Sequence, residues 1–594
     1  MAPTIIVTTP TRDLNEFRAV AAMAARLQSR GKVEVNIAAV AQKAAHERPR
    51  TRSPWHEYAA CNPAPEKFTP HPLLAPHLPA AFVEGNRGLM LAKAAVLREA
   101  GLGAAFWSYL PNFWPESFFA EHPELRGPRT DHPRRSTHAE FAPCVDQPRT
   151  LEVMRWQVRE LCRLVPHLGT LFFKTNDAGP GLCWSHWQYA GPNGPEHCRG
   201  RGMGRRVRGM LEALRGGAAE AGVDLAVHFR GNFSAAERAE VVAALPDHCS
   251  TPGAAGAAAT VPCAADRTYP VRGLFDPLAV LRALAGRRAD AAVFVDLRCA
   301  YDRAGEPLPV AEQTVALVDR LLAEPVSGTL GPLQRLREHC AGWAGGGERD
   351  ELFEVLVDLH EALSDKAKML PGLSAIYGGV SLRYVTRPLV WDPAGLSAAE
   401  EAHFLPHVFN VDEGRARLDW LDQHASRIAP HAMPTRGADP RLWSAYALCD
   451  RLRRVARGLR GCAEAGAAAW VRDAAAACEL YASIVRSGAN FYAGQVLRER
   501  NAAASPVDVN CSAWLGHPDY AAFQEVLRDE LDNTTAFAAL LRGEAGKLIT
   551  TATAAADEDT FVLGPDLAAQ VATKAALMRR HWRDAERALA APNR

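Results

Sequence analysis

No run of about 18 consecutive apolar residues occurs in the 594-residue chain, which excludes a membrane-spanning helix on length alone. The opening, MAPTIIVTTPTRD, lacks a basic segment followed by a long apolar core, so no secretory leader is read there and the expected location is the cytoplasm. Charge excess is lacking too. The 68 Lys and Arg residues stand against 67 Asp and Glu, a net charge of +1 with no long basic run, so nucleic acid and membrane surfaces are not expected partners. Closely paired cysteines are absent: the 13 cysteines are odd in number and spread along the chain, which fits reduced, mostly buried thiols better than a disulfide framework.

Several motifs with known mechanics are also missing. There is no HExxH, His-x-His pair, paired CxxC, P-loop, GxGxxG or GxSxG, so zinc peptidase, amidohydrolase, nucleotide-dependent and serine hydrolase chemistries lose ground and no cofactor is implied. Cys183 with His186, and His197 with Cys198, have the right atoms for a metal, but their spacing matches no recognised geometry and no metal is expected.

What is present is a chain too long for one ordinary core, in which short β-type runs alternate with helical patterns over the first two thirds. Eight strand candidates are read: Thr4 to Thr8, Val33 to Ala39, Ala104 to Leu110, Gly169 to Lys174, Leu225 to Phe229, Ala259 to Val261, Ala291 to Val295 and Leu373 to Val380. Helical patterns lie between them, among them Leu14 to Arg30, Arg87 to Ala100 and Leu151 to Leu164. The count points to an α/β fold, a (β/α)8 TIM-type barrel with long βα loops over residues 1–394; a doubly wound open sheet is the alternative. Proline-rich insertions at Arg48 to Pro79 and Pro111 to Pro148 predict ordered turns without regular helix. From about Leu396 helical periodicity takes over, with Leu442, Tyr446, Cys449, Leu452, Val455 and Leu459 forming one stripe. An α-helical C-terminal domain over 395–594 is therefore expected, with a structural or oligomerising role that makes a homodimer the assembly to consider.

The segment GTLFFKTNDAGPGLCWSHWQYAGPNGPEHC, Gly169 to Cys198, carries the chemical signal. An apolar strand covered on both faces stops at Asn176 and Asp177, at its carboxyl end, where parallel barrels hold their chemistry. Gly179 and Gly181 would let backbone approach a ligand, and Trp184, Trp187 and Tyr189 offer flat faces with polar tips to a sugar ring. Other ionisable groups fall at strand ends or just beyond: Asp13, His56 and Glu57, Asp131 and His132, Asn232, and Asp296. Glycosyl transfer to water needs one protonated carboxyl and a second group that attacks or activates water, and Asp177 is the first candidate, with Asp13, Asp296 or the Asp131 and His132 pair as the other. Asp13 also precedes the helical run LNEFRAVAAMAARL, where N-capping competes with catalysis. Arg134 and Arg135 beside Asp131, and Arg383 and Arg387 in LRYVTRPLV, are suited to a substrate carboxylate or equally to structural ion pairs.

At Asn176 and Asp177 the chain resembles the barrel glycoside hydrolases, in which an amide or acid beside the catalytic acid ends the fourth strand; Asp177 stands where the best-known clan has Glu. The strings SPWHEY, LRGPRTDHPRRS, TNDAGPGLCWS and LRYVTRPLV look like those of large bacterial glycoside-hydrolase-like proteins. The placement of Asp13, Asp131 and His132 is similar to that in inverting barrel exosialidases, which implies His132 as base and arginines holding the substrate carboxylate. The expected function is cleavage of a glycosidic bond in a carbohydrate substrate, with a uronic or sialic acid favoured by the arginines. A lyase or isomerase using His132 or His56 as base, and a non-catalytic carbohydrate-binding protein, are the rival readings.

Overall fold

The computed structural model describes residues 2–41, 62–131, 139–254, 257–262, 268, 270–297, 309–365, 383–391, 395–404, 440–502, 518–552, 554–555 and 563–584. The chain forms two compact units. The first takes Met1–Pro262, Ala283–Arg298 and Val315–Val326, and the second takes Cys263–Arg282, Cys299–Thr314 and Ser327–Arg594.

The first unit is built on a curled parallel sheet of eight strands: β1 Thr4–Thr8, β2 Lys32–Asn36, β3 Gly103–Tyr109, β4 Leu168–Thr175, β5 Ala226–Gly231, β6 Cys249–Ser250, β7 Ala259–Val261 and β8 Val293–Asp296. Their order is β6-β5-β4-β3-β2-β1-β8-β7, all paired parallel, so each strand lies beside its sequence neighbour and the last beside the first. This is the (β/α)8 arrangement, with a seam between β6 and β7 across which the described residues form no ladder. The Ala- and Gly-rich link 252–259 joins those two strands, which are only two and three residues long. A run of small side chains offers little apolar area to fasten an edge, which accounts for the short pairing there.

Seven of the expected strands are found with small shifts at their ends. The two-residue β6 has too little sequence to show a period and completes the eight, while the candidate at Leu373 to Val380 lies outside the described residues. Arg383 and Arg387 therefore do not follow the eighth barrel strand, which is Val293–Asp296; they belong to the second unit. In the proline-rich insertion after β3, the described strands Arg126–Arg129 and Phe141–Pro143 pair antiparallel as the two arms of a hairpin. Regular helix was not expected in this insertion, yet it holds a six-residue helix, Glu116–Glu121; the helix begins directly after Pro115, a place where the missing proline N–H costs nothing.

Side chains on the strands alternate between two faces. Ile5 and Val7 of β1, Phe173 of β4 and Phe229 of β5 are buried on the outer face, where the rings of Phe173 and Phe229 stack at 5.2 Å. The helices that follow strands include Leu14–Ala25, Ala80–Glu99, Pro148–Leu164, Met203–Glu220 and Ala235–Ala243. Pro148–Leu164 places Val153, Val158 and Leu161 in the core, one side of a 3.6-residue repeat.

The second unit is helical from Gly331–Trp343 and Arg349–Asp365 onward, so helix begins earlier than residue 395; amphipathic helices after strands and helices of a helical unit share one period, and the pattern alone does not separate them. Pro440–Glu464, Ala469–Ala502, Pro518–Arg542 and Leu567–Arg580 follow. Cys449, Leu452, Val455 and Leu459 are buried as the stripe predicts. A polar knot lies inside these helices: Lys574 pairs with Glu530 and donates to the Tyr384 carbonyl at 2.7 Å, while Ser487 and Asn490 donate to the two Glu530 oxygens at 2.7 and 2.8 Å. Both charged side chains are withdrawn from water. Lys574→Met leaves Glu530 without its cation and is expected to destabilise the second unit by about 3–5 kcal/mol, while Lys574→Met with Glu530→Leu recovers most of the loss, as read by denaturant unfolding.

Candidate active site

The inner face of the sheet is an aromatic floor with charge above it. Phe172 of β4 packs with Trp107 of β3 at 5.0 Å between ring centroids and with Phe294 of β8 at 5.1 Å, and Ile6, Ala105 and Ala292 complete the layer. His228 of β5 meets Phe294 edge-on at 5.5 Å and contacts Ser250 Oγ through Nδ1 at 2.6 Å. Its burial pushes its pKa down to about 4, so the imidazole is neutral near pH 7.

Two residues further along each strand, toward the carboxyl ends, the same face carries Tyr109, Lys174, Arg230 and Asp296. Lys174 and Arg230 are direct register partners. Arg230 is exposed, with its guanidinium 5.6 Å from the Trp107 ring centre, and among the described residues no carboxylate pairs with it. Asp177, just beyond β4, is ion-paired with Lys174, and its Oδ1 accepts from the Tyr189 hydroxyl at 3.0 Å and the Ala178 N–H at 2.9 Å. Asp296 closes β8 and is partly exposed. Trp187, in the loop after β4, is 56% exposed and is the large aromatic side chain of that loop most open to solvent.

Asn176 does different work. It leaves β4 at φ 51°, a left-handed conformation that asparagine tolerates better than most residues, and it is fully buried. Its Nδ2 donates to Ser185 Oγ at 2.9 Å and to the Asn232 carbonyl at 3.0 Å, and its Oδ1 accepts from the Leu182 N–H at 3.0 Å and Gln188 Nε2 at 3.2 Å. Asn232 answers by donating to the Asn176 carbonyl at 2.9 Å. Both amides thus fasten loops to one another, where a substrate contact was expected. Gly181 likewise accommodates the protein's own packing, since a Cβ there would strike Gln188 and Thr130.

The remaining sequence candidates separate clearly. Asp13 caps the helix Leu14–Ala25, its Oδ1 accepting from the N–H groups of Asn15 and Glu16 at 2.7 and 2.9 Å. Asp131 is buried and held in a two-pronged pair by Arg129 at 2.7 and 2.9 Å, with the Glu140 N–H also donating to it. Trp184 donates its indole N–H to the Pro195 carbonyl at 3.1 Å and lies under Arg199, so its ring is committed within the loop. Arg387 is buried in the second unit over Phe404 and Phe491, and Arg383 opens the short turn Arg383–Val385 there. His56, Glu57, His132, Arg134 and Arg135 lie outside the described residues. Lys174, Arg230, Trp107 and Tyr109, which the structure adds to the candidates, were not among the sequence candidates. Their signal was the two-residue alternation in FWSY, FFKT and HFRG, which puts each of them on the inner face once the barrel is accepted.

Three thiols also meet in this region. Cys144 follows the hairpin, Cys183 lies in the loop after β4, and Cys198 ends the short turn Glu196–Cys198; all three are buried, with their sulfurs within 4.8 Å of one another. The sequence reading paired Cys183 with His186, but His186 is held through its backbone by Glu237, and the partner brought in by the fold is Cys144. At the other end of the barrel, a cavity of about 540 Å³ is lined by Gln28, Lys32, Gly101, His167 and Asp224, on the side where such folds carry stability and not chemistry.

No family model and no curated protein matches the chain. Solved structures do. The chain is similar to a GH138 enzyme targeting pectin rhamnogalacturonan II, at 10% identity over 99% of this chain and 84% of that one, with a TM-score of 0.43. It is also similar to a GH20 beta-N-acetylhexosaminidase from Streptomyces coelicolor A3(2), at 15% identity over 58% and 68% of the two chains, with a TM-score of 0.28. A GH36 alpha-galactosidase from Geobacillus stearothermophilus matches at 10% identity over 54% of this chain and 42% of that one, with a TM-score of 0.29.

Two outcomes test this description. Asn176→Ala strands several buried partners at about 1–3 kcal/mol each, and thermal unfolding of the first unit is expected to shift to markedly lower temperature. Below pH 6.5 the unfolded chain protonates His228 while the folded chain refuses the proton until about pH 4. Stability is therefore full above pH 6.5 and falls across that window, with His71 and His167, also lowered by burial, adding to the slope. His228→Gln is expected to flatten the slope in pH-dependent denaturation curves.

Proposed function

We propose that the chain is a glycoside-hydrolase-type enzyme that works at the carboxyl end of the barrel, on a carbohydrate bearing a carboxylate. One observation carries this reading: an acid after β4 and an acid at the end of β8, with three strands between them in the curled sheet, stand above an aromatic floor. Two carboxyl groups flanking a bound sugar are what glycosidic cleavage requires. Asp296 gives its proton to the leaving oxygen. Asp177, with Lys174 and Tyr189 at its side, either takes a proton from the attacking water or attacks the anomeric carbon to form a glycosyl ester that water, deprotonated by Asp296, then cleaves; both routes give a free reducing end and an alcohol. Trp107 and Trp187 suit the C–H faces of sugar rings.

The preference for an acidic sugar rests on Arg230, exposed beside Lys174 at the mouth and facing no carboxylate of the described chain. A guanidinium in that state is suited to a two-pronged contact with a uronic or sialic carboxylate. The test is turnover of aryl glycosides of uronic, sialic and neutral sugars. Asp177→Asn and Asp296→Asn are each expected to lower kcat roughly 10²- to 10⁴-fold with the circular dichroism spectrum unchanged. Normal turnover in both variants would overturn the assignment, and an unsaturated product in place of a new reducing end would mark a lyase.

A further inference from the structure

We propose that Cys144, Cys183, Cys198 and His197 form a structural zinc site that clamps the loop after β4 to the hairpin beside it. The donors come from three separate places in the sequence: the sulfurs of Cys144, just after the strand Phe141–Pro143, of Cys183, seven residues beyond Asn176, and of Cys198, in the turn Glu196–Cys198, converge in the fold, and His197 in that same turn reaches Cys144 and turns further in to complete the set.

Two spacings around Cys144 match tetrahedral edges, and the three sulfurs lie within 4.8 Å of one another. With Zn–S near 2.3 Å and Zn–N near 2.0–2.1 Å, the edges of a tetrahedral site measure about 3.8 Å between sulfurs and about 3.6 Å between sulfur and nitrogen. Cys144 Sγ lies 3.9 Å from Cys198 Sγ and 3.6 Å from His197 Nε2. The three cysteines are free thiols, and a disulfide between any two would leave the third sulfur over. Zinc binding exchanges three S–H protons for metal bonds, releases them to solvent and involves no oxidant. Gln147 Nε2 now meets His197 Nε2 at 3.1 Å; this contact is exposed, so the amide turns outward when the imidazole lone pair goes to the metal.

The surroundings are those of a supported ligand set. Arg206 is buried and bonds the carbonyls of Cys183 and Cys198 at 2.6 and 2.8 Å, with Asp146 holding its Nε at 2.6 Å. Trp184 packs against the three thiols and keeps water off them. Groups that orient ligands in this way set metal affinity nearly as much as the ligands do. Cys183 lies between Asp177 and Tyr189 in the same loop, so the clamp would steady the stretch that carries both.

The experiment is elemental analysis of the purified full chain, apo-prepared and reconstituted with zinc under reducing conditions. Close to one zinc per chain is expected, lost in Cys198→Ser and Cys183→Ser and retained in Cys249→Ser, with a chelator lowering the Tm and zinc restoring it. Because removing a buried cysteine also disturbs packing, cobalt is added to the wild-type protein, where a thiolate-to-cobalt charge-transfer band is expected. Absence of both stoichiometric zinc and that band in the wild-type chain would overturn the proposal, as would metal retained in both serine variants. None of these readouts involves turnover, so the zinc site and the proposed reaction stand or fall separately.

Discussion

The loop that follows β4 has almost no regular secondary structure, yet it carries Asp177, Trp187 and Tyr189, and its position depends on one buried amide. Asn176 turns the chain out of the strand in a left-handed conformation and places both ends of its side chain against the loop it has just begun. An irregular loop can be buried only where its polar groups are met, and here the amide meets several at once. The hairpin after β3 adds a second attachment, with Asn193 accepting from the Arg129 N–H at 2.6 Å and Gly179 donating to the Thr130 carbonyl at 3.4 Å. A third comes from Glu237, which caps the helix Ala235–Ala243 and also accepts from the His186 N–H. Neighbouring elements on both sides of β4 thus hold the same loop.

This fastening divides the polar residues of the region into two sets. Asn176, Asp131 and Arg206 are met by several partners within the protein, and Asn232 and Gln188 Nε2 bond to Asn176, so these side chains fix geometry. Arg230, Trp187 and Asp296 retain exposed surface at the mouth, and Asp177 joins the two sets through Lys174. In the proposed site, the interactions that hold the loop rigid and the groups offered to a ligand are thereby kept on different side chains.

Much of the barrel was legible because burial imposes a period. Apolar β-branched runs such as TIIVT and the aromatic run LFFK mark strands wherever they occur, and the amphipathic repeats between them mark helices. Strand β6 was not legible, since two residues show no period and their pairing is set by β5. Asn176 and Asp177 were found because polar residues ended an apolar strand, but whether an amide faces a ligand or its own loop is decided by residues nine to fifty-six positions away. The cluster of Cys144 with Cys183 and Cys198 was hidden for the same reason, as its members are close only after the hairpin folds back. Asp13 shows the reverse case: the capping alternative was visible in the sequence, and the backbone N–H groups of Asn15 and Glu16 take up its Oδ1.

The central claim is that the barrel mouth recognises an acidic sugar through Arg230. Isothermal titration of a uronic acid and of its neutral parent sugar, against the wild-type chain and Arg230→Ala, tests it most directly. The account predicts tighter binding of the uronic acid to the wild-type chain and loss of that preference in the variant. Equal binding of the two sugars to the wild-type chain, or a preference that survives in Arg230→Ala, would contradict it.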